Sequence, residues 1–128
     1  RFSNKSHLAR AVLESVAFQT YELLESMEKD LDTKFDTLKV DGGMVANNLL
    51  MQFQSDLLDK SIQSQEINEI TALGVGVASY LYVMDLPLSS MGNYITSSKT
   101  WNPNMSNETR INSLESWYKA IEKAKNWL

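Results

Sequence analysis

The sequence predicts an α/β fold in the order helix–strand–turn–helix–strand–helix, followed by a long connector and a C-terminal helix. Three observations predict it. Long segments at both ends of the chain carry apolar residues at helical spacing. A short apolar run, Phe35 to Val40, leads directly into Asp41-Gly42-Gly43 and then into another helical stripe, which is the pattern of a strand turning into a helix. Four helices stand against only two candidate strands, and a parallel pair is normally covered on both faces and extended by further strands. The chain is therefore expected to be the last part of a larger domain, with the missing strands upstream of Arg1.

The first helix is expected over roughly His7 to Asp30, where Leu13, Ala17, Leu24, Met27 and Leu31 recur at spacings of three, four or seven. Glu14, Glu22, Glu25 and Glu28 lie mostly elsewhere and read as a solvated face. Asn4 or Ser6 is the expected N-cap, since a short polar side chain can accept from the first free N–H groups. His7, the only histidine, has no Ser or Asp partner in evident spacing and is assigned a surface or capping role. Polar residues from Asp30 to Lys34 end the helix, and Phe35 to Val40 follows as a strand with Leu38 and Val40 on one face.

After the glycine turn, Asn47 or Asn48 begins a helix that runs to about Asp59, with Leu50, Phe53 and Leu57 in one stripe widened by Leu49 and Leu58. Asp41 reads as a turn former and Asp56 as a solvated helix residue. Met44 and Met51 flank the turn and read first as core residues, with Met44 also in reach of an aromatic ligand. Ser61 to Gln65 is poor in strand formers and is assigned as a strand because its position suits a parallel return. The helix from Ile70 to about Met84 contains Gly74 and Gly76, each costing about 1 kcal/mol relative to Ala. Close packing of this helix on the sheet would account for them, ahead of direct contact with a ligand. Asp85 to Asn107 holds both prolines and reads as an irregular connector, anchored to the core by Trp101. The last helix is expected from Glu108 to Leu128, with Leu114, Trp117, Tyr118, Ile121, Ala124 and Leu128 on one face and Trp127 beside them.

Composition narrows the function classes. A chain of 128 residues supports one domain with a real core. The net charge of -4 gives no electrostatic reason to expect nucleic acid. The chain has no cysteine, which excludes disulfides, thiolate metal sites and cysteine nucleophiles. No apolar run approaches the ~18 residues that span a bilayer, so membrane insertion is not expected. A start at Arg1 rather than Met fits a processed chain or a piece of a longer one.

The run Leu38-Lys39-Val40-Asp41-Gly42-Gly43-Met44-Val45-Ala46-Asn47-Asn48, continuing through Met51-Gln52-Phe53-Gln54-Ser55-Asp56-Leu57-Leu58, resembles the C-terminal domain of the glycerol kinases. These are a branch of the sugar and polyol kinases with the actin/hexokinase-like (ribonuclease-H-like) ATPase fold. Arg10 to Thr20 ahead of it, Glu69-Ile70-Thr71-Ala72-Leu73-Gly74 behind it and the stretch from Trp117 through Trp127 resemble further segments of that family in the family's own order. The resemblance implies that residues 1–128 form a fragment of the C-terminal ATP-binding domain of a two-domain kinase, one wall of a cleft.

In that family the Asp-Gly-Gly turn binds adenosine. The resemblance implies that Gly43 lies against the nucleotide through its backbone, that Asn47 reaches the adenine end with its amide, that Gly42 keeps the turn open and that Asp41 shapes the strand end. It implies ATP with Mg2+, the ion being held mainly by residues outside this chain. The phosphate loops, the catalytic aspartate and the glycerol contacts lie upstream, so no catalytic residue and no metal ligand is assigned here. A cytoplasmic, homo-oligomeric full-length enzyme is expected, and the isolated 128 residues should be inactive and bind adenine nucleotide weakly. Two alternatives stay open. One is a kinase of the same family acting on another acceptor, such as xylulose or gluconate. The other is a non-catalytic interaction module that retains the fold.

Overall fold

Asn4 starts the first helix. Its side chain accepts from the N–H groups of Ser6 at 3.0 Å and His7 at 3.1 Å, while its own N–H donates to His7 Nδ1 at 3.3 Å. This is a capping box in which an imidazole takes the place of the usual Glu, and it gives His7 the capping role expected of it. The computed structural model describes residues 2–65, 69–94 and 97–125. In it, helix α1 spans Lys5–Leu31, two residues earlier at its start than the apolar stripe suggested. Asp32 closes it at φ 48, a left-handed position that Asp tolerates well.

Strand β1 is Thr37–Val40, helix α2 is Asn48–Leu58, and strand β2 is Ser61–Gln65. A 3-10 turn, Gly43–Ala46, joins β1 to α2. Phe35 was expected inside β1 but lies outside the ladder. Its N–H donates to Glu28 Oε1 at 2.8 Å and its carbonyl accepts from Lys60 Nζ at 2.6 Å, so its backbone is already engaged. β1 and β2 run parallel, from Thr37 opposite Ser61 to Val40 opposite Ser64. The poor strand former Ser61–Gln65 is thus the central strand, held by pairing on both edges and by its inward residues Ile62 and Ser64, both buried.

The connector is not irregular throughout. A 3-10 segment, Leu88–Tyr94, precedes strand β3, Ser97–Trp101, which pairs antiparallel with β2 and sets Trp101 opposite Ile62 and Lys99 opposite Ser64. Sequence reasoning missed β3 because Ser97-Ser98-Lys99-Thr100 shows little strand propensity, and its partner lies more than thirty residues away. The described sheet therefore has the order β1-β2-β3.

The core lies between this sheet, α1 and α2. Ala17 and Leu24 of α1 meet Leu50, Met51, Leu57 and Leu58 of α2, Ile62 and Trp101 of the sheet, and Leu114 of the last helix. Burying a side chain such as Leu57 stabilises by about 1.5–3 kcal/mol. Trp101 anchors the connector as expected, and the Ser55 hydroxyl sits 3.1 Å from its carbonyl oxygen. Asp56 corrects the expectation of a solvated residue. Its Oδ1 accepts from Gln52 Nε2 at 2.9 Å and from the N–H groups of Asn104 at 2.7 Å and Met105 at 3.2 Å, so it ties the chain after β3 to α2.

Helix α3 spans Ile70–Val83 and helix α4 spans Asn107–Ala124. α3 buries Val77 and Leu81, while Val75, Tyr82 and Val83 stand exposed. A Cβ at Gly74 or Gly76 would meet nothing within 4 Å, so the described residues do not supply the close helix–sheet packing expected there. Ser106 caps α4 by accepting from Thr109 N–H at 3.2 Å. Leu114 is buried, and Trp117 stacks on Phe18 with ring centroids 4.8 Å apart and planes 5° from parallel. Ala124 is exposed, and Trp127 and Leu128 fall outside the described residues. Met27 and Leu31 of the α1 stripe are also exposed.

Candidate functional site

The carboxyl ends of β1 and β2 open onto a cavity of about 510 Å3 lined by Gly42, Gly43, Val45, Ala46, Asn48, Ser64, Gln65, Glu69, Lys99 and Trp101. Open α/β sheets place ligands at this edge, because the strands end there and the following turns diverge. The two glycines serve different purposes. Gly42 has φ 89 and ψ 175, a region essentially reserved for glycine, and this sharp bend turns β1 into the 3-10 segment. Gly43 carries no such strain, and a Cβ added there would meet nothing within 4 Å. Nothing in the described fold therefore requires glycine at position 43; the open space in front of it faces the cavity.

Val45 N–H donates to the Gly42 carbonyl at 3.1 Å and Asn47 N–H to the Met44 carbonyl at 3.0 Å, which fixes the turn. Asn47 is the N-cap of α2, with Oδ1 accepting from Leu50 N–H at 3.1 Å. That commits its carbonyl oxygen and leaves the NH2 group as the one it can offer elsewhere. Gly42, Gly43 and Asn48 thus share the cavity wall, and Asn47 is next to them in the chain without lining it. Met44, read first as a core residue, is half exposed. Asp41 is exposed at the strand end.

The far wall comes from β3. Lys99 Nζ donates to Asn48 Oδ1 and lies 4.9 Å from the Trp101 ring centroid, a cation–π contact. Sequence reasoning did not find this wall. The one signal was the spacing of Lys99 and Trp101 two apart, which puts both on the same face of a strand. Glu69 is the sole carboxylate among the described lining residues, and no described cluster of three acidic or histidine groups could hold a metal ion. These side chains do not by themselves make a magnesium site.

A second cavity, about 250 Å3, lies at the other end of the sheet, where Glu25, Glu28 and Asp59 face Lys34, Lys60 and Arg110 beside Tyr21. Its charges are matched. The ammonium of Lys60, 2.8 Å away, and the Phe35 N–H hold the Glu28 carboxyl down at about 2, with Lys34 contributing at 3.4 Å. Tyr118 donates to Glu25 at 3.2 Å, and burial together with that carboxylate pushes its phenol up to about 12. This cluster fastens α1, β2 and α4 together.

A parallel strand pair, a glycine turn at its carboxyl end and a capped helix behind it fit the C-terminal part of an actin/ribonuclease-H-like ATPase domain, and the matches to carbohydrate kinases assign the chain to that class. Residues 1–80 match the C-terminal domain of the FGGY family of carbohydrate kinases, and the chain belongs to that family. It is 47% identical over 134 residues to a glycerol kinase of Nocardia farcinica and 42% identical over 131 residues to one of Fusobacterium nucleatum, with 99% of this chain covered in each case. It spans 27% and 26% of the lengths of those relatives. Among solved structures it matches Plasmodium falciparum glycerol kinase with ADP at a TM-score of 0.88 and 31% identity, over 99% of this chain and 26% of that one. It also matches xylulose kinase from Lactobacillus acidophilus at a TM-score of 0.73 and 21% identity, over 94% of this chain and 25% of that one, a likeness of fold alone. No described helix is long and apolar enough to cross a membrane.

Proposed function

We propose that this chain is the adenosine-binding segment of a glycerol kinase, a cytoplasmic and homo-oligomeric enzyme that transfers the γ-phosphoryl group of ATP to glycerol, giving sn-glycerol 3-phosphate. The observation that carries the reading is Gly43, a residue whose lack of a side chain serves no packing need and opens onto the cavity at the carboxyl ends of β1 and β2. The whole-chain likeness to glycerol kinases supports it. In this reading Gly43 lies against the nucleotide, Gly42 holds the turn open, and Asn47 offers its NH2 group to the adenine end while its oxygen stays on Leu50 N–H. Phosphoryl transfer depends on positioning and charge stabilisation far more than on covalent chemistry by the protein. Fixing the adenosine end holds the terminal phosphate in line with the acceptor hydroxyl. The acceptor contacts, the catalytic base and the groups that hold magnesium belong to parts of the kinase outside this chain.

Replacing Gly43 with Val in the intact kinase tests the reading. A Cβ at this position meets nothing within 4 Å, so thermal stability should hold, while KM for ATP rises roughly tenfold or more and KM for glycerol changes little. A Gly43→Val enzyme with normal KM for ATP would sink the assignment.

A further inference from the structure

We infer that Lys99 is a further nucleotide-binding residue, whose ammonium takes the charge of a phosphate group of the bound nucleotide; this rests on the adenosine-site reading above. Lys99 is on β3, across the cavity from Gly42 and Gly43. Its placement follows from register, because the pairing of Lys99 with Ser64 sets it beside the carboxyl end of the central strand, where the cavity opens. Two contacts hold the head group there, the Asn48 side-chain oxygen and the face of Trp101. Neither carries a formal charge, and among the described residues Lys99 makes no ion pair.

Its surroundings sharpen the point. Asn48 is the first residue of α2, so the ammonium stands next to the positive end of an eleven-residue helix. A cation in that position gains nothing from the helix, and the one carboxylate of the described lining, Glu69, makes no ion pair with it. An anion entering the cavity is favoured by the ammonium and by the helix end together, and a phosphate oxygen can accept from the ammonium in place of Asn48. Trp101, buried in the core, still attracts the ammonium through its ring face when that exchange occurs. A neutral ligand gains none of this. Lys99 therefore distinguishes a nucleotide from its nucleoside, whereas the glycine turn serves the adenosine end common to both.

Lys99→Gln and Lys99→Arg in the intact kinase, titrated calorimetrically with ADP and with adenosine, separate the possibilities. The expected result is a roughly tenfold loss of ADP affinity in Lys99→Gln, with adenosine affinity unchanged and Lys99→Arg restoring most of the loss. The dependence of ADP affinity on salt should flatten in Lys99→Gln as well. Unchanged ADP affinity in Lys99→Gln, or an equal loss for ADP and adenosine, overturns the inference. Gly43→Val tells the two failures apart. If it weakens adenosine and ADP while Lys99→Gln weakens neither, only the role of Lys99 falls; if it too leaves both unchanged, the site reading falls with it.

Discussion

Gly42 and Gly43 are adjacent and identical in chemistry, yet the fold asks different things of them. Gly42 is required by its own backbone, since an L residue at φ 89 and ψ 175 costs about 1–3 kcal/mol wherever its side chain points. Gly43 is free of that constraint, which is why its substitution can report on a ligand rather than on folding. Asn47 caps α2, and the proposed function gives it a second role at the adenine end; two variants separate the two. Asn47→Ala removes the cap of α2 and should cost about 1 kcal/mol of stability, read by chemical denaturation. Asn47→Asp keeps an acceptor for Leu50 N–H and should retain that stability, but it loses the NH2 donor. Both variants should raise KM for ATP more than KM for glycerol. An equal rise in the two constants would count against contact with adenine. The sequence pointed to Asn47 and passed over Asn48, because capping and cavity lining depend on which way the first turn of α2 faces.

At the scale of elements, β3 is the instructive case. Its five residues are two serines, a lysine, a threonine and a tryptophan, and the two strand formers at its end are too few to mark a strand beside Pro103 and the serines. What makes them a strand is the second edge of β2, the burial of Trp101 and the carboxylate that secures the chain beyond it. Asp56→Ala tests that last link. Removing it frees the N–H groups of Asn104 and Met105, and a loss of about 1–3 kcal/mol should follow. Hydrogen exchange at those two amides should quicken while the α1 amides keep their protection; uniform quickening would mean that Asp56 supports the whole fold rather than this junction. α2 and β2 were legible in the sequence for the opposite reason. The stripe of Leu50, Phe53 and Leu57 is local, and a parallel return is the ordinary sequel to a strand–turn–helix unit.

For the molecule as a whole, Glu28 is the joint to watch. Near the end of α1, it accepts from Phe35 N–H just before β1 and from Lys60 just before β2, so one carboxylate holds three elements in place. The sequence reading put it on a solvated face, and the structure buries it. Its carboxyl is held at about 2 against an ordinary 4.5, so the folded chain binds this proton more weakly than the unfolded chain does. The stabilisation is therefore complete above about 4.5 and is lost as pH falls from there through about 2. Denaturation midpoints measured across that window should fall with acidification, and Glu28→Gln should flatten the part that Glu28 contributes. A Glu28→Gln chain with the same acid profile as the parent would show that other carboxylates carry the effect.

The sequence by itself determined the α/β class, the four helices, the parallel pair and the glycine turn at its carboxyl end. Each is written in short-range terms: apolar spacing, a capping Asn, a glycine pair between a strand and a helix. Tertiary structure alone decided that β3 exists, that Asp56 and Glu28 are ties rather than solvated charges, and that Lys99 faces the glycine turn across a cavity. The physical reason is sequence distance. A pairing such as Ser64 with Lys99, or Asp56 with Asn104, leaves no periodic trace in either partner, and it forms only once the core has brought the two segments together.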